Sequence, residues 1–468
     1  MLELTRRELI GGGAVIATQA FLVRANAQAG LRTRRDVNQL ALNDPTLVSY
    51  QRAVAEMVRL DTDEPGNPRS WTNQARIHQN LCPHGNWFFL PWHRAYLNHF
   101  EDICRKLSGD ESFALPYWNW TLNPQIPSAL WESGSPLNHA RDADQNSSVE
   151  DEFVGVDVLN RIMRKADFEG LGSRRASAPR GGSGGGSGTL ESSPHNRVHV
   201  FTGGDMASFM SPLDPVFWLH HCNVDRIWAS WNDIGNINPS DPAFADFVLD
   251  DNFVDRDGQA VDVKISAVYD TQGLGYTYDR LEPRPVANTA TVPPGAVLTP
   301  IADFREPLSG TADPGVPLSA NVAVETDLLA RFSGTLQMMT TEGGPGAPQE
   351  AGSINLKVSG IRPPEDARAF VRLFVNCDYL TSSTPINDPH YVGSFSFFLD
   401  KHGTDGDMHT GAGNYVFDLT STLDALRRSG NYPGSGIEPQ LLAFNGRGEP
   451  TELSVDGALE VTFLQAKV

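Results

Sequence analysis

The chain has 468 residues, of which 40% are hydrophobic and 20% are charged. This composition is typical of a globular protein and the length is sufficient for two domains, so a disordered or fibrous protein is excluded. The formal net charge of -20 is spread along the whole chain, which argues against nucleic acids and anionic membranes as partners.

Residues 1–29 have the features of an export signal. The pair Arg6-Arg7 precedes a weakly apolar run over residues 9–23, and Ala27-Gln28-Ala29 follows. This order predicts a twin-arginine signal peptide with a small-residue cleavage site, and therefore a bacterial protein that is periplasmic or secreted. The alternative is a weakly apolar, frayed start. No later segment reaches the length of a membrane span.

Residues 36–260 show a helical pattern that is rich in tryptophan and histidine. The sequence Asn43-Asp44-Pro45 predicts a helix start, and an apolar stripe follows at helical spacing: Leu47, Tyr50, Val54, Met57 and Val58. A second stripe includes His93, and a third helix that opens at Asp214-Pro215 carries His221. Both histidines are therefore predicted to face the interior.

Two segments of the chain lack the helical pattern. Gly181–Gly188 is predicted to be a flexible loop without structure of its own, and residues 283–321 are predicted to connect two domains. Beyond them the apolar period becomes two, as in Ile354, Leu356 and Val358, which predicts a β-sandwich or barrel. The expected organisation is a signal at 1–29, a helical catalytic domain at 30–282, a linker at 283–321 and a smaller, jelly-roll-like β-sandwich at 322–468.

Seven of the twelve histidines fall in two clusters. The first cluster is His78, His84 and His93, and the second is His195, His199, His220 and His221. Histidines four residues apart share one helix face, so His195 and His199 can bind one ion together. Imidazoles without a carboxylate in register disfavour calcium, magnesium and di-iron sites, which leaves copper or zinc. Two copper ions can together give two electrons to dioxygen, whereas zinc has no redox chemistry.

Three stretches resemble the type 3 copper proteins, which are the tyrosinases, catechol oxidases and hemocyanins. They are Cys82-x-His84-x8-His93-Arg94, Leu115-Pro116-Tyr117-Trp118-Asn119-Trp120, and Pro194-His195-Asn196-x-Val198-His199 with Asp214-Pro215-x-Phe217-Trp218-x-His220-His221. The resemblance implies a helical bundle around two copper ions and a C-terminal shielding domain. It assigns His78, His84 and His93 to the first copper, and His195, His199 and His221 to the second. His220 then has a packing role, and Asp225, one turn after His221, is expected to accept the other ring N–H of His221.

The same resemblance implies roles for residues around the coppers. Glu191 and Asn196 match the pair that holds a water for phenol deprotonation, although Glu191 alone also fits a first-turn helix charge. Phe209 matches the gate residue of plant enzymes, with Ser208 as the alternative. Cys82 matches the cysteine that forms a thioether with the ligand ring of His84, and its alternative role is a small buried hydrophobe.

The implied activity is the oxidation of small phenols by dioxygen. Monophenols would be hydroxylated and o-diphenols oxidised to o-quinones, and the C-terminal domain would plug the copper site through a residue that the sequence does not identify. A hemocyanin-like dioxygen carrier without turnover is the main alternative, and a zinc hydrolase is a third. The sequence leaves the oligomeric state open.

Overall fold

The computed structural model describes residues 30–178, 185–285, 292, 296–326, 328–329, 352–398, 412–431 and 436–467. The predicted signal at 1–29 lies outside these residues. Among the described helices, none is both long and apolar enough to cross a membrane.

The first part of the described chain is helical. Its helices are α1 Pro45–Asp63, α2 Trp71–Leu81, α3 Phe89–Ser108, α4 Asp151–Val154, α5 Val156–Met163, α6 Phe168–Leu171, α7 Asn196–Thr202, α8 Val216–Asp233 and α9 Pro242–Ala245. A π-helical turn, Glu191–His195, runs directly into α7. A further described helix, α10 Thr420–Arg428, lies among the later strands.

The predicted start of α1 is confirmed. The side chain of Asp44 accepts a hydrogen bond from the N–H of Thr46, and Pro45 occupies the first turn, where its missing N–H costs nothing. The predicted apolar stripe is buried at its first four positions, but Val58 is 46% exposed, so its assignment to the buried face is wrong. Val58 directly follows Met57, and adjacent helical residues point about 100° apart.

The core of the helical region forms where α3 meets α8. The rings of Phe100 and Trp218 stack between these helices, and both are fully buried. Nearly every residue of α3 up to Phe100 is buried, which is typical of a central rather than a surface helix. Since α3 carries His93 and α8 carries His221, this packing brings the two predicted histidine clusters together.

The strands of the described residues form four sheets. The strands are β1 Arg32–Arg34, β2 Ser173–Arg174, β3 Gly186–Ser187, β4 Val248–Val254, β5 Ala260–Lys264, β6 Tyr276–Tyr278, β7 Val297–Ala312, β8 Leu318–Ser319, β9 Gly352–Arg362, β10 Phe370–Val375, β11 Tyr391–Ser396, β12 Gly413–Asp418, β13 Pro439–Phe444 and β14 Leu453–Lys467. Two small sheets pair β1 with β6 and β4 with β5. A four-stranded sheet, β11-β10-β13-β8, and a six-stranded sheet, β2-β3-β12-β9-β14-β7, form the C-terminal region.

The two larger sheets enclose a second hydrophobic core. Leu356 and Leu459 of the six-stranded sheet and Leu373 and Leu441 of the four-stranded sheet belong to one buried cluster. Alternating apolar residues that meet between two sheets define a sandwich. The predicted order, a helical domain followed by a smaller β-sandwich, is therefore confirmed.

Two predicted segment boundaries are wrong. The predicted connector at 283–321 contains β7, which pairs with β14 along almost its entire length. The predicted structureless loop at 181–188 contains β3, which pairs antiparallel with β2 and parallel with β12. In both cases pairing with a distant strand provides hydrogen bonds that a Pro-, Ala- or Gly-rich composition does not reveal.

Candidate metal centre

Six histidine rings form two adjacent triangles. In the first, the ring centres of His78, His84 and His93 are 5.4 Å, 5.5 Å and 5.5 Å apart. In the second, those of His195, His199 and His221 are 4.6 Å, 5.0 Å and 5.5 Å apart. Three imidazoles on one ion, with N–metal bonds of about 2.0 Å, have ring centres roughly 5 Å apart. Both triangles match this spacing.

Backbone and side-chain acceptors fix the tautomers of four of these rings. Nδ1 of His78, His93 and His199 donates to the carbonyl oxygens of Phe209, Phe89 and Met206 at 2.7, 2.8 and 2.8 Å. Nδ1 of His195 donates to Oδ1 of Asn196 at 2.8 Å. A proton on Nδ1 leaves the lone pair on Nε2, which is the form that binds a metal ion.

The second triangle also fits an ion at the level of single atoms. Nε2 of His199 and Nε2 of His221 face each other at 3.3 Å. Two nitrogens bound to one tetrahedral ion at about 2.0 Å are separated by roughly 3.3 Å. Nε2 of His84, His93 and His195 is buried without a hydrogen-bond partner among the described residues, which is costly unless something else uses the lone pair.

The electrostatics keep these rings neutral. Burial, followed by the neighbouring imidazoles, holds the pKa of His84, His93, His199 and His221 well below the usual value. Burial alone lowers the pKa of His195 to about 3. Neutral imidazoles do not need to lose a proton before they bind a cation. The donor set therefore suits copper, as the sequence predicts.

His220 lies beside the second triangle. Its ring centre is 4.9 Å from that of His199 and 5.0 Å from the ring of Trp120. One ligand atom each from His195, His199, His220 and His221 fit within 4.8 Å of one another, so proximity alone does not separate the two adjacent histidines. His221, however, also groups with His78 and His93, which places it between the two clusters.

The predicted hydrogen bond from His221 to Asp225 is wrong. Oδ1 of Asp225 accepts from Arg94, and Oδ2 accepts from Arg34 at 3.2 Å, Tyr276 at 2.6 Å and Tyr278 at 2.5 Å. Nδ1 of His221 has no partner among the described residues. Four stronger donors surround the carboxylate, so it joins α3, α8 and the β1–β6 sheet instead of orienting the ring.

We expect Asp225→Asn to destabilise the folded protein by about 3–5 kcal/mol, because it leaves the buried guanidinium of Arg94 without its counter-ion and removes one of the two carboxylates that pair with Arg34. Burial opposes ionisation of Asp225, but Arg94, Arg34 and the two tyrosine hydroxyls lower its pKa. This stabilisation is fully present above pH 3.8, the usual value, and is lost as the pH falls through the lower folded value.

Urea unfolding at pH 7 and pH 3 measures both effects. The loss caused by Asp225→Asn is expected to be smaller at pH 3 than at pH 7. Asp257→Asn, at an exposed ion pair with Lys106, is the matched control and is expected to change stability by less than about 1 kcal/mol. Equal effects of the two substitutions would contradict the buried role of Asp225.

Glu191 is buried in the π-helical turn and contacts the loop of the first cluster. Its two carboxylate oxygens accept the N–H of Gly85 at 2.8 and 3.1 Å, and Ser173 and Ser187 donate hydroxyl hydrogen bonds to it. Burial raises the pKa of Glu191 to about 7, although these hydrogen bonds oppose the shift. Ser173 and Ser187 belong to β2 and β3, and no pattern in the sequence indicates their approach to Glu191.

Asn196 connects the second cluster to the β-sandwich. Its Oδ1 accepts from His195, and its Nδ2 donates to the carbonyl oxygen of Ser396 at 2.9 Å. Both ends of the amide are thus occupied. Ser396 is the last residue of β11, so this bond crosses from the helical region to the sandwich.

Phe209 lies against the first cluster. Its ring stacks on that of His84 with ring centres 5.0 Å apart. The side chain of Ser208 donates to the carbonyl oxygen of Asp205 and accepts the N–H of Met210, so it is engaged in its own turn. Phe209 is therefore the better candidate for a residue that limits access to the rings.

Phe398 also covers the centre, next to Phe209, and the sequence does not indicate it. Its ring centre lies 4.2 Å from His199, 5.2 Å from His84, 5.8 Å from His195 and 5.1 Å from Phe209. It follows β11 by two residues and is 9% exposed. A side chain of the sandwich therefore touches rings of both clusters.

Cys82 lies next to His84 of the first triangle. Its Sγ is 3.3 Å from Nδ1 of His84, and its side chain is buried. All four cysteines lie in the described residues, and none forms a disulfide.

Comparison with known proteins places this centre in a family. Residues 67–174 and 135–234 match the profile of the common central domain of tyrosinase. Tyrosinase HcTyr1 from Hahella sp. (strain CCB-MM4) is 29% identical over 492 residues, covering 91% of this chain and 98% of its own length. A chloroplastic polyphenol oxidase from Vitis vinifera is 34% identical over 283 residues, covering 50% of this chain and 45% of the relative.

Solved structures share the fold. The structure of latent apple tyrosinase has a TM-score of 0.66 at 22% identity, covering 92% of this chain and 97% of the apple chain. A functional unit of octopus hemocyanin has a TM-score of 0.51 at 18% identity, covering 92% and 99%. The family profile spans the residues that bring both histidine triangles together, and the similarity to a tyrosinase extends over nearly the whole chain. Residues 67–234 therefore form a common central domain of tyrosinase, as expected for a type 3 copper oxidase.

Proposed function

We propose that this protein oxidises small o-diphenols to o-quinones with dioxygen and hydroxylates small monophenols at the same centre. His78, His84 and His93 would hold one copper ion, and His195, His199 and His221 the other. The observation that carries the proposal is the pair of adjacent ring triangles with neutral, buried imidazoles. When bound, the two coppers supply the exchange of two electrons with dioxygen.

The protein's own residues would prepare the site for this chemistry. Carbonyl acceptors orient the rings, so little reorganisation is needed during turnover. Phe209, packed on His84, would face an incoming phenol ring and restrict bulky substrates. The aromatic walls exclude water, which favours an apolar substrate ring over bulk solvent.

Glu191 and Asn196 would hold the water that takes the phenol proton. In the closed arrangement, Nδ2 of Asn196 donates to Ser396, so this group becomes available only when the sandwich moves away. We expect Glu191→Gln to lower monophenol turnover by about a hundredfold while catechol turnover changes much less, because only monophenols need deprotonation before hydroxylation. The ratio of monophenol to catechol turnover is measured from initial rates of oxygen uptake with a matched monophenol and catechol. The protein used is one from which the C-terminal sandwich has been removed.

Ser173→Ala is the control for that experiment, since it removes one donor to Glu191 but retains the carboxylate. Copper content is measured in parallel, because Glu191 also holds the backbone of Gly85 next to His84. An equal fall in both activities with Glu191→Gln, together with lost copper, would assign Glu191 to positioning the ligand loop and would refute the water-holding role.

A thioether between Cys82 and the ring of His84 is supported by their 3.3 Å contact. The bond would join Sγ of Cys82 to a carbon of the His84 ring with loss of the S–H and C–H hydrogens, and dioxygen, with copper bound at the centre, would accept the two electrons. We expect the peptide that contains both residues, isolated from copper-loaded protein, to be lighter by two hydrogen atoms and to resist thiol alkylation. The same peptide from copper-free protein is the control. A fully alkylated Cys82 in active enzyme would contradict the crosslink.

The sandwich would act as a shielding domain that keeps the enzyme latent. Phe398 touches the histidine rings, and one ion pair supports the same contact: Arg372 of β10 donates twice to Glu152 at 2.7 Å. Arg197 of α7 also donates to the carbonyl oxygen of Arg368 at 2.8 Å. We propose residues 30–282 as the catalytic domain and assign β7, together with 322–468, to the shielding domain.

A dioxygen carrier is the second candidate, because the fold also matches a hemocyanin unit and Phe398 denies substrates access in the described arrangement. Sustained quinone formation after removal of the C-terminal sandwich would identify an oxidase rather than a dioxygen carrier.

We further propose that residues 1–29 direct export by the twin-arginine route, to the periplasm or beyond. Replacement of Arg6 and Arg7 by lysine is expected to retain the protein in the cytoplasm of a bacterial host.

A further inference from the structure

A second group of metal-binding side chains lies in the sandwich, in the connection from β10 to β11. It consists of Cys377, Asp388 and His390, which each offer one ligand atom within 4.8 Å of the other two. Cys377 is 1% exposed and His390 is 3% exposed. None of the three belongs to the copper clusters, and the proposed oxidase reaction does not use them.

The surroundings of His390 prepare it to bind an ion. Its Nδ1 donates to the carbonyl oxygen of Val375 at 2.8 Å, so the neutral ring carries its lone pair on Nε2. This is the same arrangement that orients the rings of the copper centre. A ligating histidine in proteins typically makes such a bond through its other nitrogen.

The backbone around the other two groups is also fixed. Oε1 of Gln440 accepts the N–H of Cys377 at 2.7 Å, and its Nε2 donates to the carbonyl oxygen of Cys377 at 3.0 Å. Oδ1 of Asp388 accepts the N–H of His390 at 2.9 Å, and Oδ2 accepts the hydroxyl of Tyr379 at 3.1 Å. The side chain of Gln440, on β13, therefore fixes the backbone of Cys377, while the loop itself holds the carboxylate of Asp388 against the backbone of His390.

We propose that Cys377, Asp388 and His390 bind one zinc ion in the shielding domain. A thiolate, an imidazole and a carboxylate form a set that suits zinc, whereas calcium and magnesium prefer oxygen ligands alone. Water completes the four-coordinate site. Binding replaces the S–H proton of Cys377 by the ion and releases that proton to solvent, with no change of oxidation state.

The position of the site suggests a regulatory consequence, which rests on the proposed function. His390 directly precedes β11, and β11 ends at Ser396, two residues before Phe398. An ion at the start of this strand would stabilise the segment that covers the copper centre. Zinc removal is therefore expected to raise the activity of the intact enzyme, whereas zinc binding itself is independent of whether the protein is an oxidase.

The test uses full-length protein whose two copper sites are already loaded. We expect elemental analysis after dialysis against zinc to show one zinc per chain in addition to the copper. With cobalt as the probe, we expect one equivalent to bind and to give a thiolate-to-cobalt absorption band in the near ultraviolet. Cys377→Ser should abolish this band, and His390→Gln should weaken cobalt binding at least tenfold.

Cys104→Ala is the matched control, because it removes another buried cysteine that is remote in sequence from the cluster, and the band should remain. Circular dichroism verifies that each variant is folded; if Cys377→Ser is not, Asp388→Asn replaces it and is expected to weaken cobalt binding at least tenfold, whereas unchanged binding would overturn the site. Wild-type protein that takes up no zinc or cobalt, or a cobalt band that persists in Cys377→Ser, would overturn the site. Zinc uptake without any change in oxidase activity would retain the site but overturn its regulatory consequence.

Discussion

Replacement of His93 by alanine is expected to abolish oxidase activity and to lower bound copper from two to about one per chain. His93 belongs to the first ring triangle, and its Nε2 is buried without a partner among the described residues. Two imidazoles hold an ion much more weakly than three, and a single copper cannot provide both electrons to dioxygen. Copper analysis and catechol turnover on the same preparation measure the two effects.

His99→Ala provides the matched control, since His99 lies on the same helix six residues later. Its ring stacks on Phe253, with centres 5.6 Å apart, outside both triangles. We expect this variant to keep two coppers and nearly full activity. If His93→Ala retained both coppers and wild-type turnover, the ligand assignment of the first triangle would be wrong.

Replacement of Phe398 by alanine is expected to raise the activity of the intact chain by about tenfold or more. Burial of a phenylalanine side chain stabilises a contact by about 1.5–3 kcal/mol, and each 1.4 kcal/mol corresponds to about a factor of ten in an equilibrium. Loss of the ring therefore shifts the population towards open centres and also removes the obstruction itself. Catechol oxidation before and after limited proteolysis measures the change.

The adjacent Phe397 serves as the control. Its ring packs inside the sandwich against Phe395 and Tyr415, with centres 5.8 Å and 5.9 Å away. Phe397→Ala tests whether destabilisation of the sandwich alone activates the enzyme. The plug role requires Phe398→Ala to activate strongly without lowering the melting temperature of the sandwich. If both variants activate equally, or if proteolysis activates Phe398→Ala as much as the wild type, Phe398 is not the plug.

The histidines of the two triangles could be predicted from the sequence because their pattern is local. His195 and His199 are one helical turn apart, and the apolar stripes predicted that His93 and His221 face inward, as both do. The start of α1 at Pro45 could also be predicted from the sequence, because it depends only on neighbouring residues. The β-sandwich could be predicted because apolar residues occur at every second position beyond residue 352.

Apart from Val58, whose exposure follows from local helix geometry, the incorrect predictions concern long-range partners. Asp225 lies one turn from His221, but Arg34 and Tyr278, which are far away in sequence, compete successfully for its carboxylate. The strand β7 was hidden because its partner β14 is about 150 residues later. Phe398 went unnoticed for the same reason: nothing in the spacing of one phenylalanine indicates that it meets rings from another domain.

Simultaneous measurement of oxygen uptake and quinone formation tests most directly whether a pair of coppers held between six histidines catalyses phenol oxidation. Copper-loaded Phe398→Ala protein, whose centre is uncovered, is mixed with excess catechol in a closed cell. We predict continuous turnover that consumes one dioxygen for every two quinones formed and that disappears in the variant that also carries His93→Ala. Reversible uptake of at most one dioxygen per chain, without quinone, would instead identify a dioxygen carrier and contradict the oxidase assignment.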